Sequence, residues 1–376
     1  MTRGDLDALV IGAGVCGLTT AISLAEAGLR TRIRTANLPG QTTSVAAGAV
    51  WGPVMSGSGG RVREWARTGL EVLTALETEP AAGVRAVTGK EVSRVPADPP
   101  VWTDLLPGIR LCGLSELPEG FVAGWHYTAP VVTMPVYLGY LRARFEQAGG
   151  QIEVAPVDSL AAMDAPLVVN CTGTGARDLV PDPSVVPVRG QVVLVANPGI
   201  EEFYIDHSQG PPDYVYFFPH GDILLLGGTA EEGAWDMAPR PAAAKRILAD
   251  CAAADPRLRD ARVLGHRVGL RPYRPEVRLE AERLPDGRVL WHNYGHGGAG
   301  VTLSWGCARE ITEAVLAEAP RYPRIVLRGD VVDRCPPVRH AVSGPAAGAD
   351  GQGELGRPAV GVLDVLAGEV DLAAEE

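Results

Sequence analysis

Three glycines near the start of the chain, in the pattern Gly12-x-Gly14-x-x-Gly17, limit the folds that are open to it. The apolar run 6–11 before them predicts a buried strand, and residues 15–27 have the apolar spacing of a helix. Gly12 permits a tight turn, Gly14 lets a phosphate approach the backbone, and Gly17 lets the helix pack closely on the sheet. Because a helix N-terminus stabilises negative charge, this unit predicts a Rossmann-type α/β domain that binds a dinucleotide.

The second strand of this unit departs from the usual dinucleotide pattern. An acidic residue about 20 positions beyond the glycines normally binds a ribose hydroxyl, but this strand ends in Thr35-Ala36-Asn37. Asn37 or Thr35 can still hydrogen-bond a ribose. Arg32 and Arg34 can instead meet a 2′-phosphate, which keeps NADP open, or they can be solvated strand residues.

A second glycine-rich turn, 295–300, also opens a helix near the end of the α/β pattern. Two helix N-termini suit a cofactor with a pyrophosphate at one end and a charge-accepting ring at the other, and FAD fits that description. His292 precedes this turn and His296 lies within it, but no third ligand accompanies them. We therefore predict packed or hydrogen-bonded histidines and no metal site.

Gly269-Leu270-Arg271-Pro272-Tyr273-Arg274-Pro275 is a third motif. Prolines fix the backbone after Arg271 and on both sides of Arg274. A guanidinium held rigidly beside a cofactor suits bidentate binding of a carboxylate.

Composition excludes several classes of protein. Of the residues, 46% are apolar and 21% charged, as in ordinary globular chains, so wholesale disorder is excluded. The net charge is −11 and no basic stripe is present, which argues against nucleic acid as a partner. The six scattered cysteines favour neither a disulfide framework nor zinc. The apolar segment 8–27 contains glycines and follows MTRGDLD, so we expect no signal peptide, no membrane span and a cytoplasmic location.

The α/β pattern occurs in three separated pieces. We predict a dinucleotide-binding domain from residues 1–56, 134–185 and 284–328. The β-rich insertions 57–133 and 186–283 would form a second, substrate-binding domain. Residues 329–376 would be a disordered acidic tail, since residues 345–376 carry seven acids and one arginine.

Six segments together resemble the D-amino-acid oxidase family, and they occur in the family's order. They are VIGAGVCGLTTA, TTSVAAGAVWGP, VVNCTG, VRGQVV, GLRPYRPEVRLE and HNYGHGGAGVTLSWGCA. The resemblance implies non-covalently bound FAD, a Rossmann-type FAD-binding domain and an inserted α+β substrate domain. It also implies oxidation of a D-amino acid to a 2-oxo acid, ammonia and hydrogen peroxide, by hydride transfer to flavin N5 and with oxygen as acceptor. We further expect a bacterial enzyme and a homodimer.

The resemblance also implies roles for individual residues. Arg271 would pair with the substrate carboxylate, Tyr216 would hydrogen-bond it, and the Gly298 carbonyl would accept from the amine. The side-chain pocket would comprise Val50, Trp51, Gly52, Tyr214 and Phe218. The residues that contact FAD would be Gly12, Gly14, Val15, Cys16, Gly17, Asn37, Thr42, Thr43, Gly48, Val157, Cys171, Gly269, Gly297, Gly298, Gly300, Val301 and Thr302.

Two departures from the family bear on substrate choice. Gly52 stands where animal members carry glutamine, and Tyr214 is the nearest match to the second tyrosine of their active-site lid. D-aspartate oxidases carry an arginine after a Gly-Gly-Thr, but here Ala230-Glu231-Glu232 follow it. We therefore expect neutral, and also basic, D-amino acids as substrates. A glycine or sarcosine oxidase of the same fold, an NAD(P)-dependent reductase and a non-catalytic flavin-binding protein remain as alternatives.

Overall fold

A computed structural model describes residues 6–53, 59–208 and 210–318 of the chain. The acidic tail predicted for 329–376 lies outside these residues. The helices are α1 (Val15–Glu26), α2 (Gly60–Leu76), α3 (Met134–Gln147), α4 (Ala176–Leu179), α5 (Pro241–Ala254) and α6 (Gly300–Glu318). The strands are β1 (Ala8–Ile11), β2 (Thr31–Thr35), β3 (Val84–Ser93), β4 (Arg110–Leu111), β5 (Ala123–Val132), β6 (Gln151–Val154), β7 (Leu167–Asn170), β8 (Val186–Ala196), β9 (Phe203–Asp206), β10 (Asp213–His220), β11 (Ile223–Thr229), β12 (Glu231–Glu232), β13 (Val263–Arg283) and β14 (Val289–His296).

A parallel layer in the order β6-β2-β1-β7-β14 forms the first half of the structure. All four residues of β1 are buried, because helices cover a parallel sheet on its faces. Helix α1 ends at Glu26 with Ala27 as its C-cap, and Gly28 follows with a φ of +89°, the left-handed conformation that commonly terminates a helix. This arrangement confirms the predicted α/β fold.

A mostly antiparallel sheet forms the second half, in the order β4-β5-β3-β9-β10-β11-β8-β13, with β12 paired to β8. Helix α5 covers one face of this sheet, over a core that includes Val193, Phe217 and Ile247. The 21-residue strand β13 belongs to both layers: residues 263–273 pair with β8, and residues 273–283 pair with β14. The domain boundary predicted between residues 283 and 284 therefore falls at the end of β13, a strand that already belongs to both layers.

The sequence prediction gave the second domain as α+β but did not locate its helices. Residues 57–133 contain α2, and residues 186–283 contain α5. Helix α2 buries Trp65, Gly69 and Leu73, which are spaced at four-residue intervals along one face. That face packs on α6, so this part of the insertion lies against the parallel layer and not in the second sheet.

The contact between α2 and α6 depends on the absence of two side chains. A Cβ on Gly69 would lie 1.9 Å from the Thr302 carbonyl oxygen, and one on Gly306 would lie 2.2 Å from the Trp65 Cα. Both neighbours are backbone atoms, which a rotamer change cannot move. The close approach brings the first turn of α6 into a fixed position.

We expect Gly306→Ala to destabilise the protein by about 2 kcal/mol or more, because the two helices must separate. Gly139→Ala in α3 is the matched control, since Gly139 is exposed and nothing lies within 4 Å of its added Cβ. That variant should be as stable as the original chain or more stable. Denaturant unfolding followed by far-UV circular dichroism measures both; equal stability of the two variants would contradict the packing argument.

Candidate active site

A cavity of about 980 Å³ lies where the carboxyl ends of β1, β2, β7 and β14 meet one face of the antiparallel sheet. Nearly every residue proposed from the sequence lines this one cavity. Gly17 is the exception, because a Cβ there would lie 2.0 Å from the Gly12 carbonyl oxygen and the residue packs α1 on the sheet. The predicted residues in the wall are Gly12, Gly14, Val15, Cys16, Asn37, Thr42, Thr43, Gly48, Val50, Trp51, Gly52, Val157, Cys171, Tyr214, Tyr216, Phe218, Gly269, Arg271, Gly297, Gly298, Gly300, Val301 and Thr302.

The first glycine turn brings the N-terminus of α1 to this cavity. Gly12 has a φ of +106°, and a Cβ there would lie 2.5 Å from the Cys171 carbonyl oxygen. No side chain caps the helix at Gly14, and the Val15 N–H donates to Ser44 Oγ at 3.0 Å. The first turn of α1 therefore presents backbone donors and the positive end of the helix dipole to the cavity.

The second glycine turn brings the N-terminus of α6 to the same cavity. Gly297 has a φ of +52°, and α6 starts three residues later at Gly300. Thr302 Oγ1 donates to the Gly52 carbonyl at 2.9 Å and accepts from the Gly52 N–H at 3.1 Å. These two bonds tie the start of α6 to the predicted side-chain pocket.

His296 lies beside this turn between two thiols and not near a second histidine. Its Nδ1 is 3.7 Å from Cys16 Sγ, and its Nε2 is 3.6 Å from Cys307 Sγ. Burial lowers the pKa of His296 to about 4, so the ring is neutral at physiological pH. His292 instead lies 3.4 Å from Asn170 and 3.2 Å from Glu282. Both histidines are packed and hydrogen-bonded, in the manner the sequence suggested.

Arg32 and Arg34 are directed to a carboxylate of β6 and not to the cavity. Arg34 pairs with Glu153 of β6 at 3.0 Å, and Arg32 lies 3.9 Å from the same carboxylate. Neither arginine lines the cavity, whereas Asn37 does. The position of these two side chains removes the observation that favoured NADP.

Arg271 lies at the point where β13 passes the cavity. Its Nη1 donates to the Thr229 carbonyl at 3.0 Å, which fixes the guanidinium against β11. A Cβ on Gly190, the glycine of VRGQVV, would lie 2.4 Å from the same Nη1. Gly190 therefore provides the space that the guanidinium occupies. The N–H groups of Arg271 that do not bond to Thr229 can donate to a carboxylate.

Two tyrosines accompany Arg271. Burial raises the pKa of Tyr216 and raises that of Tyr214 to about 12, and the Arg271 charge offsets only part of each rise. Both hydroxyls therefore stay protonated and can donate hydrogen bonds. The Tyr214 hydroxyl is buried and has no hydrogen-bond partner within the described part of the chain.

Glycines create the space for the aromatic rings as well. A Cβ on Gly227 would lie 1.9 Å from Tyr216 Cζ, and one on Gly48 would lie 2.7 Å from Phe218 Cδ2. The Tyr216 and Phe218 rings stack with centroids 4.7 Å apart. Their positions therefore depend on backbone from β11 and from the segment before Val50.

Comparison with known proteins agrees with this geometry. The family model described as DAO, FAD dependent oxidoreductase, matches residues 7–314. The chain belongs to this family of FAD-dependent oxidoreductases. It is 49% identical to a D-amino-acid oxidase of Rubrobacter xylanophilus, over 81% of this chain and 94% of that protein. It is 46% identical to a D-amino-acid oxidase of Streptomyces coelicolor, over 81% and 95%.

A solved structure shows the same fold at low sequence identity. Glycine oxidase from Bacillus cereus superposes with a TM-score of 0.68 and 17% identity, over 86% of this chain and 99% of that one. The similarity extends through both layers of the molecule. It supports the FAD-dependent oxidoreductase fold for this member of the family.

None of the helices in the described residues combines the length and the apolar character that a membrane span needs.

The cavity fits the family's cofactor. Two helix N-termini that begin with glycine turns face one space, and Gly14, at the start of α1, has no side chain where a pyrophosphate must approach closely. The first strand–turn–helix unit lies at the edge where such folds bind dinucleotides. The residues that line this cavity therefore fit FAD, the cofactor of the family.

Arg274, the second arginine of GLRPYRP, has a structural role. It pairs with Asp182 at 3.0 Å, and the same carboxylate accepts from the Tyr294 hydroxyl at 2.8 Å and from the Ser184 hydroxyl. Arg278 in turn donates to the Tyr294 hydroxyl at 2.7 Å. This network joins β13 and β14 just before the second glycine turn.

Several residues of the site were not identified from the sequence. Gly190 belongs to VRGQVV, Gly227 and Gly228 to the Gly-Gly-Thr run, and Ser44 to TTSVAAGAVWGP, but these motifs did not show that the four residues shape the site. The buried Glu91 and Tyr127 lie on β3 and β5, far along the chain from the recognisable motifs.

Asp182 yields a prediction for stability against pH. Burial alone would raise its pKa, but the bonds from Ser184, Tyr294 and Arg274 outweigh burial and lower the pKa to about 2. A carboxyl whose pKa is depressed on folding contributes stability above its unfolded pKa of about 4, and this contribution is lost as the pH falls towards 2. Asp182→Asn should therefore destabilise the protein by about 2 kcal/mol at pH 7 and by about half as much at pH 3.

Urea unfolding of both proteins at pH 7 and pH 3, followed by tryptophan fluorescence, measures this difference. Other carboxyl groups titrate equally in the two proteins, so they cancel. A stability difference that stays constant between the two pH values would show that the Asp182 carboxylate does not contribute in this way.

Proposed function

We propose that the protein oxidises D-amino acids to 2-oxo acids, with release of ammonia and hydrogen peroxide. The observation that carries this function is the convergence of Arg271, Tyr214 and Tyr216 on the cavity that also receives both helix N-termini. A cation with two neutral hydroxyl donors suits an α-carboxylate. The similarity to two bacterial D-amino-acid oxidases supports the same reaction.

FAD would be held without a covalent bond by the residues that line the parallel side of the cavity. Its pyrophosphate would meet the N-terminus of α1, and its ribose would meet Asn37. The full set comprises Gly12, Gly14, Val15, Cys16, Asn37, Thr42, Thr43, Gly48, Val157, Cys171, Gly269, Gly297, Gly298, Gly300, Val301 and Thr302, with Gly17 acting through packing. Bound FAD supplies the acceptor for the hydride lost from the substrate Cα, and oxygen supplies its reoxidation.

The chain's own contribution is orientation. Arg271 would bind the substrate carboxylate through the N–H groups that Thr229 leaves free, and Tyr216 would add a hydroxyl donor. The Gly298 carbonyl would accept a hydrogen bond from the neutral amine. Three fixed contacts define the position of Cα and its hydrogen, and such positioning lowers the barrier without covalent catalysis.

No side-chain general base is required in this scheme. The substrate gives up its ammonium proton to solvent before reaction, and the electron pair of the neutral amine would promote loss of hydride from Cα. The described cavity wall carries no carboxylate or free imidazole beside Gly298, since His296 is enclosed by two thiols. The N-terminus of α6 stabilises the negative charge that develops at this end of the cavity.

The side-chain pocket favours neutral and basic substrates over acidic ones. Val50, Trp51, Gly52, Tyr214 and Phe218 would form it. Glu231, which follows Gly-Gly-Thr, pairs with Arg189 and Arg240, so this segment offers no free cation to a second carboxylate. We therefore expect kcat/KM for D-alanine, D-valine and D-methionine to exceed that for D-aspartate. Saturation kinetics that favour D-aspartate would contradict this preference.

The decisive experiment is the visible spectrum of the purified protein without oxygen, before and after D-alanine and, separately, L-alanine. We expect a flavin band that only the D-enantiomer bleaches. A band bleached by glycine or sarcosine alone would indicate a glycine-type oxidase, and one that no amine bleaches would indicate a non-catalytic flavoprotein. Absence of the band after addition of FAD would favour a nicotinamide enzyme.

Arg271→Lys tests the carboxylate clamp. Lysine keeps the charge but loses the planar pair of donors, so KM for D-alanine should rise on the order of a hundredfold. Arg259→Lys is the control, because Arg259 is exposed and distant from the cavity wall. Steady-state kinetics with matched flavin content measures both. An unchanged KM in Arg271→Lys would remove Arg271 from the site.

A cytoplasmic location and a homodimeric state are predictions from the sequence alone. Sedimentation of the purified protein would test the second of these.

A further inference from the structure

The cavity wall contains a buried carboxylate that the proposed reaction does not use. Glu91 of β3 is 2% exposed and accepts three hydrogen bonds. Trp125 Nε1 donates at 2.9 Å, the Tyr127 hydroxyl donates to the other oxygen, and His207 Nε2 lies 2.6 Å away. The His207 ring stacks on Trp125 with centroids 5.5 Å apart. Such a network holds Glu91 and His207 as one rigid hydrogen-bonded pair.

The sheet register places this pair in line with the proposed carboxylate clamp. Glu91 of β3 is the Cα partner of Ile205, and Ile205 is in turn the partner of Tyr216. Directly opposed residues of neighbouring strands point to the same face of a sheet, so Glu91 and Tyr216 face the cavity together. Two strand spacings separate their Cα atoms, roughly 10 Å. A substrate held at Tyr216 by its carboxylate can therefore extend a long side chain towards Glu91.

The charges around the cavity favour a cation at this end. Among the described residues of the wall, Arg271 and His207 are the side chains that can carry a positive charge beside the substrate. The substrate α-carboxylate would neutralise the charge of Arg271. The acidic residues of the wall are Glu91 and Asp206. An anionic side chain would meet both acids, whereas a cationic one would gain a partner in Glu91.

We propose that Glu91, together with His207, determines side-chain specificity by binding the charged end of basic D-amino acids such as D-arginine and D-lysine. This inference rests on the proposed oxidase function. It predicts that D-arginine is a better substrate than D-citrulline, which has nearly the same shape but carries no charge.

His207 opposes this preference when it is protonated. Burial alone would lower its pKa, but the Glu91 carboxylate outweighs burial and raises the pKa above its ordinary value. The groups that face the ring are Glu91 on β3, Trp125 and Tyr127 on β5, and Asp206 on β9. Burial holds Tyr127 neutral by raising its pKa. The proton on His207 and the substrate cation therefore compete for one carboxylate, so preference for the cation should rise as pH rises through the titration of His207.

The test is the ratio of kcat/KM for D-arginine to that for D-citrulline, measured with flavin-loaded protein. Glu91→Gln should lower this ratio on the order of tenfold, since it removes the charge and keeps the shape. His207→Asn should raise the ratio, because it removes the competing cation. The ratio should rise with pH in the original protein and stay flat in His207→Asn. Ionisation of the α-amine affects both substrates alike and cancels.

Opposite effects of Glu91→Gln and His207→Asn on the D-arginine to D-citrulline ratio would distinguish a role in specificity from a structural role. If the two residues only held the pocket in shape, both variants would change this ratio in the same direction. A ratio near one in the original protein, or an equal ratio in all three proteins, would overturn the inference. D-alanine separates the two levels of the argument. If D-alanine is oxidised while the ratio stays equal, only the role of Glu91 fails; if no D-amino acid is oxidised, the proposed oxidase function fails.

Discussion

Strand β13 is the connection on which the site depends. Its first half hydrogen-bonds to β8 and its second half to β14, so one continuous backbone joins the parallel layer to the antiparallel sheet. Arg271 lies on β13 just before the change of partner. Any displacement of one layer against the other would have to break strand pairing, which is why the guanidinium keeps a fixed position relative to both glycine turns.

Close backbone contacts then determine the details of the cavity. Gly12 lies against Cys171, Gly190 leaves room for Arg271, and Gly227 leaves room for Tyr216. In each case a methyl group would collide with an atom of the site or its support. The shape of the site therefore depends on glycines, which leave space, as much as on the side chains that fill it. This requirement accounts for glycines in strands, where they would otherwise weaken the sheet.

The charged and dipolar groups of the cavity differ between its parallel-layer side and its antiparallel-sheet side. The N-termini of α1 and α6 make the parallel side favourable to the phosphates and to the developing charge of a flavin. Arg271 supplies a cation that suits a carboxylate, and the Glu91–His207 pair lines the same cavity. Interactions between buried charges are stronger than those at the surface, because solvent screens them less.

The sequence alone determined the family, the Rossmann-type α/β layer, the two glycine turns and the arginine of GLRPYRP. Those signals are local: a turn, a helix start or a short rigid segment is encoded by residues that lie next to one another. The tertiary structure decided the rest. The α2–α6 contact, the space that Gly190 makes for Arg271, and the meeting of Glu91 with His207 each join residues far apart in the chain. No short-range pattern can encode such pairs, because strand register and packing between layers bring them together only in the folded protein.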